Sequence, residues 1–400
     1  MWPFMKTEKR DSIENPSVDV TPERLVSFFG MSATAATGEK VTIESALGIP
    51  AVWDAVNFIS GTMAGLPLHV YKRTKGGRDR ETGPLARVLH DVVNEDLVSS
   101  FAWRKQMFEH VLTGGRGFTF IERNAAGRVM NLWPLDPAKV TIKREGHKTV
   151  YHFKESERKT HRYDASEIID VPFMLAADGL GHRSPILTNK DSIGLAQAAV
   201  TYGSKFFSNG GVPPFVVTGG FQSGKAMNQA ADDLDAAVKK TTKEARQALV
   251  LPTGLDIKDL GANPDKAQFV ELQRFLIEQI ARIYALPPTF LQDLSNGTYS
   301  NSEQQDLHFV KHTLRRWVEQ FEQELNVKLF GRANARQFVE LNVDGILRGD
   351  FKTRMEGYAQ GVQSGVLKPN EARRMENRPD DPAGDMLMIN SASVPIENQI

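Results

Sequence analysis

The alternation of apolar and polar positions is clearest over residues 267–330, where two amphipathic helices flank a polar loop. The segment AQFVELQRFLIEQIARIYA (267–285) carries Phe269, Leu272, Leu276, Ile280 and Ile283 at the spacing of one buried helical stripe. Pro287 and Pro288 end it, because proline cannot extend the hydrogen-bond ladder and turns the preceding residue out of helical geometry. PPTFLQDLSNGTYSN then reads as a loop. A longer helix is predicted over 302–330, opened by Glu303 and Gln304, with its stripe at Leu307, Val310, Leu314, Val318, Phe321 and Leu325. Two helices hinged by a Thr/Ser/Asn/Gln loop suit the presentation of a neutral polar surface better than bond chemistry.

The rest of the chain predicts an α+β fold. Residues 1–41 are polar and are expected to form a flexible N-terminal arm. A single helix is expected over 41–64, with apolar positions Ile49, Val52, Trp53, Val56, Ile59 and Met63, followed by strand LHVYKR and the charged hairpin RTKGGRDRETG. A helix over 101–112 leads through GGRG into strand FTFIERN. Short strands follow at 129–135, 140–143, 150–153 and 168–171. A helix over 185–207, begun by Pro185, is closed by Asn209-Gly210-Gly211. Strand FVVTG, a helix over 225–248 and strands ALVLP and LDIKDL make a small module before residue 267. Beyond Phe330, FVELNVDGIL precedes a helix at 351–362, and no internal repeat is visible.

Composition narrows the function without naming it. The 49 basic and 49 acidic residues cancel, so the basic excess of a tight nucleic-acid binder is missing. A surface past which DNA slides remains compatible with that balance. The sequence has no cysteine, which excludes disulfides, thiolate metal sites and cysteine nucleophiles. No apolar run reaches the roughly 18 residues needed to cross a bilayer, and the first residues lack the apolar core of a signal peptide. Cytosolic synthesis without a membrane partner is the expectation.

The sharpest enzyme-like signal runs from Gly219 through Gly224 to Lys225, a G-x4-G-K core between a strand and a helix. A working phosphate loop needs Ser or Thr after the lysine to hold magnesium, and here that place is Ala226. The Asp-ended strand Ile168-Ile169-Asp170 precedes the motif. A plain glycine turn with a solvated lysine is the simpler reading. The nine histidines form no H-E-x-x-H pattern. His308 and His312, four apart on a helix, could share a ligand but have no carboxylate in a catalytic arrangement nearby; surface or packing roles are simpler. Neither a G-x-S-x-G nucleophile turn nor any other catalytic constellation is present. Phe206, Phe207 and Trp317 read as core or subunit contacts, the basic run 73–80 as a solvated hairpin tip, and Arg315 as paired with Glu319.

Over about residues 42–395 the chain is similar to the HK97-type branch of tailed-phage portal proteins, and equally to the portals of phage-like gene transfer agents. The segments carrying the resemblance are SALGIPAVWDAVNFISGTMAGLPLHVYKR, SPILTNKDSIGLAQAAVTYGSKFFSNGGVPPFVV, LPTG, QFVELQRFLIEQIARIYALPPTFLQ, TYSNSEQQDLHFVKHTLRRWVEQFEQELN and GVLKPNEARRMENRPDDPAGD. It implies a portal fold: an α+β wing at 42–184, stem helices at 185–211 and 263–285, a clip at 212–262, a tunnel loop at 286–301, a long wing helix with a following strand at 302–349, and a small crown at 350–400. It further implies a ring, normally of twelve subunits, at one capsid vertex, passing double-stranded DNA in packaging and ejection. The implied partners are the terminase large subunit, the major capsid protein and a head–tail adaptor; the implied location is the virion, with assembly in the host cytoplasm. No catalytic role, cofactor or metal is expected.

Carried onto this chain, the tunnel loop offers Thr289, Phe290, Gln292, Asp293, Ser295, Asn296, Thr298, Tyr299 and Asn301, a rim able to exchange hydrogen bonds with phosphate or water without a strong salt-dependent grip. Phe290, Leu291 and Leu294 offer an alternative apolar constriction. The clip helix, acidic at Asp232 and Asp233 and basic at Lys239 and Lys240, would dock the motor and later the adaptor. A stem helix of about nineteen residues spans roughly 28 Å, enough to line one section of a channel. Against longer members of that family, a short C-terminal region without a long coiled-coil crown is expected. Two rival readings stay open: a nucleotide-binding protein using Gly219–Lys225, and a ring-shaped adaptor that never touches DNA.

Overall fold

The computed structural model describes residues 34–75, 77–208, 215–219, 225, 228–229, 232, 255–259, 266–291, 302–332, 336–343, 351–376 and 378–388. The expected arm thus lies outside the described residues up to position 33.

The first helical region is two helices, not one. Helix α1 (Ile43–Leu47) opens with a reciprocal cap in which Ser45 N–H donates to Thr42 Oγ1 (3.1 Å) and Thr42 N–H to Ser45 Oγ (2.9 Å). The chain breaks at Gly48 and Ile49, and α2 (Pro50–Gly65) restarts with proline at its first position. Its buried stripe is Val52, Val56, Ile59 and Met63. Trp53, expected among the apolar positions, lies one residue off that stripe and is 58% exposed.

Strands β1 (Leu68–Thr74) and β2 (Gly77–Glu81) form the expected charged hairpin, and α3 (Pro84–His90) and α4 (Ser100–Thr113) follow. Six strands come next: β3 (Arg116–Arg123), β4 (Val129–Leu135), β5 (Val140–Glu145), β6 (Lys148–Ser156), β7 (Lys159–Asp164) and β8 (Ile168–Pro172). They make two antiparallel sheets, ordered β4-β3-β8 and β5-β6-β7. Strand β7, KTHRYD, escapes the sequence reading because it has almost no apolar content; its register on β6 (Tyr151 opposite Tyr163) and the Phe120–Tyr163 ring stack at 4.4 Å hold it.

The expected helix over 185–207 is also divided, at Asn189, into α5 (Pro185–Thr188) and α6 (Lys190–Ser208). Gly194 is required on α6, since a Cβ there would stand 2.3 Å from that of Ala35. Strands β9 (Phe215–Gly219) and β10 (Leu255–Asp259) form an antiparallel ribbon, with Gly219 opposite Leu255. Strand ALVLP and most of the helix expected over 225–248 lie outside the described residues, although Lys225, Asn228, Gln229 and Asp232 are helical and exposed.

Helix α7 (Lys266–Tyr284) runs against α6, where Tyr202 and Phe269 meet at 6.1 Å between ring centres. After the loop come α8 (Ser302–Phe309), a five-residue π-helical segment (Val310–Leu314) and α9 (Arg315–Phe330). The expected long helix is therefore present but widened by a π turn. Its stripe is buried as read, except Leu307, which is 40% exposed. Strand β11 (Gln337–Leu341) then returns to pair with β1, Val339 opposite Val70. Helices α10 (Phe351–Gln363) and α11 (Pro369–Met375) are the last described helices.

Helix α9 joins the aromatic core to two of the sheets. Phe321 is fully buried among Trp103 (5.9 Å between ring centres) and Phe108 (5.4 Å), and buried Trp317 meets Phe108 (6.1 Å) and Phe173 (5.3 Å). Its polar side chains bond the backbones of two sheets. Glu322 and Asn326 accept from Leu341 and Val339 N–H, both at 2.7 Å, while Glu324 accepts from Asp170 N–H at 2.8 Å. These acceptors occupy strand groups that would otherwise form open edges. Burial pushes the Glu324 carboxyl above its ordinary range, with Lys328 acting the other way at 3.4 Å.

Beside it lies a buried ion pair. Arg116 Nε and Nη2 donate to Asp170 Oδ1 and Oδ2 at 2.6 and 2.5 Å, and Tyr151 Oη donates to Asp170 Oδ2 at 2.6 Å. Both side chains of the pair are under a tenth exposed. Burial lowers the Arg116 pKa, but the bonds to Asp170 outweigh it and the net shift is upward. Burial, then Asp170, raises that of Tyr151.

Candidate functional site

The polar loop is held at both ends by the body of the protein. On the incoming side, α7 ends in a Schellman cap: Leu286 N–H reaches back to Ala281 O at 2.9 Å, and Ala285 N–H to Arg282 O at 3.3 Å. The left-handed position of that cap, φ +55°, is occupied by Ala285 where glycine is usual. Ala285→Gly should therefore stabilise the chain by about 0.5–1 kcal/mol, the left-handed penalty less the extra freedom glycine has when unfolded. Thermal unfolding of the two proteins at equal concentration checks this, and an unchanged or lower midpoint contradicts it.

Tyr284, fully buried, donates from its hydroxyl to Leu112 O at 3.1 Å, fixing the end of α7 to α4. Burial raises its pKa. The next turn, Pro288–Leu291, is a 3-10 helix. Here the loop residues part company. Phe290, expected on the channel rim, packs its ring against Phe58 (5.2 Å) and Phe309 (5.3 Å), and Phe58 and Phe309 themselves meet at 5.0 Å. Leu291 is buried as well, which removes it from the alternative apolar constriction. The hydroxyl of Thr289 is buried and meets no partner among the described residues.

On the outgoing side, Phe309 closes the same aromatic trio and Thr313, fully buried in the π segment, donates its hydroxyl to Ala285 O. The cap of one helix is thus bonded to the irregular turn of the other. Aromatic contacts of this kind are each worth about 0.5–1.5 kcal/mol beyond area burial. Ala285, Thr313 and Phe58 escaped the sequence reading, because a left-handed alanine and a mid-helix π turn leave no mark in hydrophobic periodicity. Gln292, Asp293, Ser295, Asn296, Thr298, Tyr299 and Asn301 lie outside the described residues.

Of the residues expected to dock the motor and adaptor, Asp232 is helical and exposed, as is Lys225. Asp233, Lys239 and Lys240 lie outside the described residues. The phosphate-loop reading loses support. The strand before the motif belongs to an antiparallel two-stranded ribbon, and the Asp-ended strand Ile168–Pro172 pairs with β3 in a different sheet. A nucleotide-binding loop opens a helix after a strand of a parallel sheet. Among the described residues no three His, Asp or Glu side chains gather as a metal site, and no helix is long and apolar enough to cross a membrane.

Comparison with known proteins agrees with this geometry. The sequence model of the phage portal protein family matches residues 50–377. The probable portal protein of Streptomyces phage phiC31 is 30% identical over 383 residues, covering 90% of this chain and 80% of that protein. The portal protein of Enterobacteria phage HK97 is 28% identical over 386 residues, covering 94% and 90%. The fold is similar to the crystal structure of an HK97-family portal protein from Corynebacterium diphtheriae, with a TM-score of 0.56, 16% identity and coverage of 80% and 98%. It also resembles a chain in the neck of a native gene transfer agent particle computed with C12 symmetry, with a TM-score of 0.57, 17% identity and coverage of 90% and 95%. The family match spans both helices that flank the loop and the loop itself, so the chain belongs to the phage portal protein family, in its HK97-type branch.

Proposed function

We propose that copies of this chain close into a ring, normally of twelve, at one vertex of a phage or gene transfer agent capsid, and that the ring is the passage for double-stranded DNA. The observation that carries the reading is the loop's mounting: residues 285–291 and 302–314 grip each other through Phe58, Phe290, Phe309 and the Thr313–Ala285 bond. A loop so anchored can project as a defined lip while its body stays fixed. The lip is then residues 292–301, with Gln292, Asp293, Ser295, Asn296, Thr298, Tyr299 and Asn301 toward DNA, and Phe290 serves as its root. Neutral side chains give moving phosphates a shallow energy profile, where arginine and lysine would hold them.

A head-to-tail contact whose rotation closes makes such a ring without a free end. The C12 neck particle among the similar structures supports that symmetry. The clip around Asp232 docks the terminase large subunit and later the head–tail adaptor, and the wing meets the major capsid protein. The protein performs no catalysis; the motor supplies the energy. Deleting residues 292–298 while keeping Thr289 and Phe290 should leave rings visible by electron microscopy and abolish packaging or retention of DNA. Rings that package normally without the loop would reduce the protein to an adaptor that never touches DNA. Absence of rings from the parent chain under all assembly conditions would remove the proposal altogether.

A further inference from the structure

We propose that His308 and His312 together form a chelating site for a divalent transition-metal ion such as Ni²⁺, Zn²⁺ or Cu²⁺, on the helix that follows the loop. The two imidazoles stand one turn apart, both exposed, with ring centres 4.4 Å apart and planes inclined by 44°. Nitrogen ligands sit about 2.0–2.1 Å from such an ion, which places each ring centre about 3.2 Å from it; two ligands at a right angle then bring the ring centres to about 4.5 Å. The observed spacing is already close to that value. Neither ring has a hydrogen-bond or ion-pair partner among the described residues, so no existing bond has to break for metal to enter. Among the described residues no third His, Asp or Glu joins them there, which leaves the remaining coordination positions open to water or an anionic oxygen.

Lys311 is exposed beside the pair, so the ion is held by nitrogen lone pairs and not by net negative charge. That selects borderline metals that favour imidazole and excludes Mg²⁺ and Ca²⁺, which require oxygen ligands. The site also straddles a structural junction. His308 belongs to the α-helical stretch and His312 to the π segment, so a bound ion ties the two across the point where the helix changes geometry. Thr313 of that segment holds Ala285 at the root of the loop. Metal binding would therefore stiffen the outgoing anchor, a regulation that goes beyond the proposed channel role and does not depend on it.

Equilibrium dialysis of the full-length protein against Ni²⁺ and, separately, Zn²⁺, each with excess Mg²⁺, tests the site. A saturable class of one ion per chain is expected. In His308→Gln and in His312→Gln its affinity should fall by at least about tenfold, since either change leaves a single imidazole without its intramolecular partner. Ni²⁺ should also slow amide hydrogen exchange over residues 302–314 in the parent protein and in neither variant. No saturable binding, competition by Mg²⁺, or full affinity retained by either variant overturns the proposal. Both substitutions lie on the exposed helix face, and intact circular dichroism of each variant secures the comparison.

Discussion

Replacing Asp170 with alanine is expected to destabilise the chain by about 3–5 kcal/mol, because it strands the Arg116 guanidinium in a site where both partners are buried. The loss has a further part: Tyr151 Oη gives up its acceptor, while the strand carrying residue 170 keeps its pairing with β3 and its backbone bonds to Glu324 and Gln320 on the long helix. Asp170→Asn should cost less, since an amide oxygen can still accept one of the three donated bonds. Denaturant titration at fixed protein concentration measures all three proteins. A loss below about 1 kcal/mol for the alanine variant would mean that water reaches Arg116 and that the pair is effectively a surface one.

Phe321→Ala should be comparably severe, about 3–5 kcal/mol. The ring is fully buried where α9 meets α4, edge-on to Phe108 and tilted on Trp103. Truncation leaves a void that helices tied to two sheets by Glu322, Glu324 and Asn326 cannot collapse to fill. Phe321→Leu, which restores most of the volume, should recover more than half the loss. Equal losses for the two substitutions would show that the specific aromatic contacts, not the volume, hold this core together. Since Phe321 and Glu324 are one turn apart, a double variant with Asp170→Ala tests whether the aromatic and ionic parts of this core are coupled.

The helices with sustained apolar stripes were legible in the sequence. Leu276 and Ile280 on α7, and Leu314, Val318, Phe321 and Leu325 on the long helix, all face the core as their spacing requires. Breaks were less legible, because Gly48 and Asn189 interrupt patterns whose periodicity runs straight through them. Strand β7 was invisible for the opposite reason: its stability comes from pairing with β6, which composition does not report. At the loop, the sequence marked its polar stretch and its two flanking helices. It did not mark which residues root the loop. Phe290 looked like any apolar loop residue, and only its position opposite Phe58 and Phe309 shows that it faces inward.

The pairing of β1 with β11 has a consequence for how the protein is made. Leu68 lies opposite Leu341, so the first hairpin to leave the ribosome must wait for nearly the whole polypeptide before its second neighbour arrives. Until then β1 presents an unpaired rim of amide and carbonyl groups, the kind of surface on which nascent chains stick to one another. Synthesis halted before residue 337 would leave that rim permanently bare. Such fragments would be steered toward aggregation and degradation.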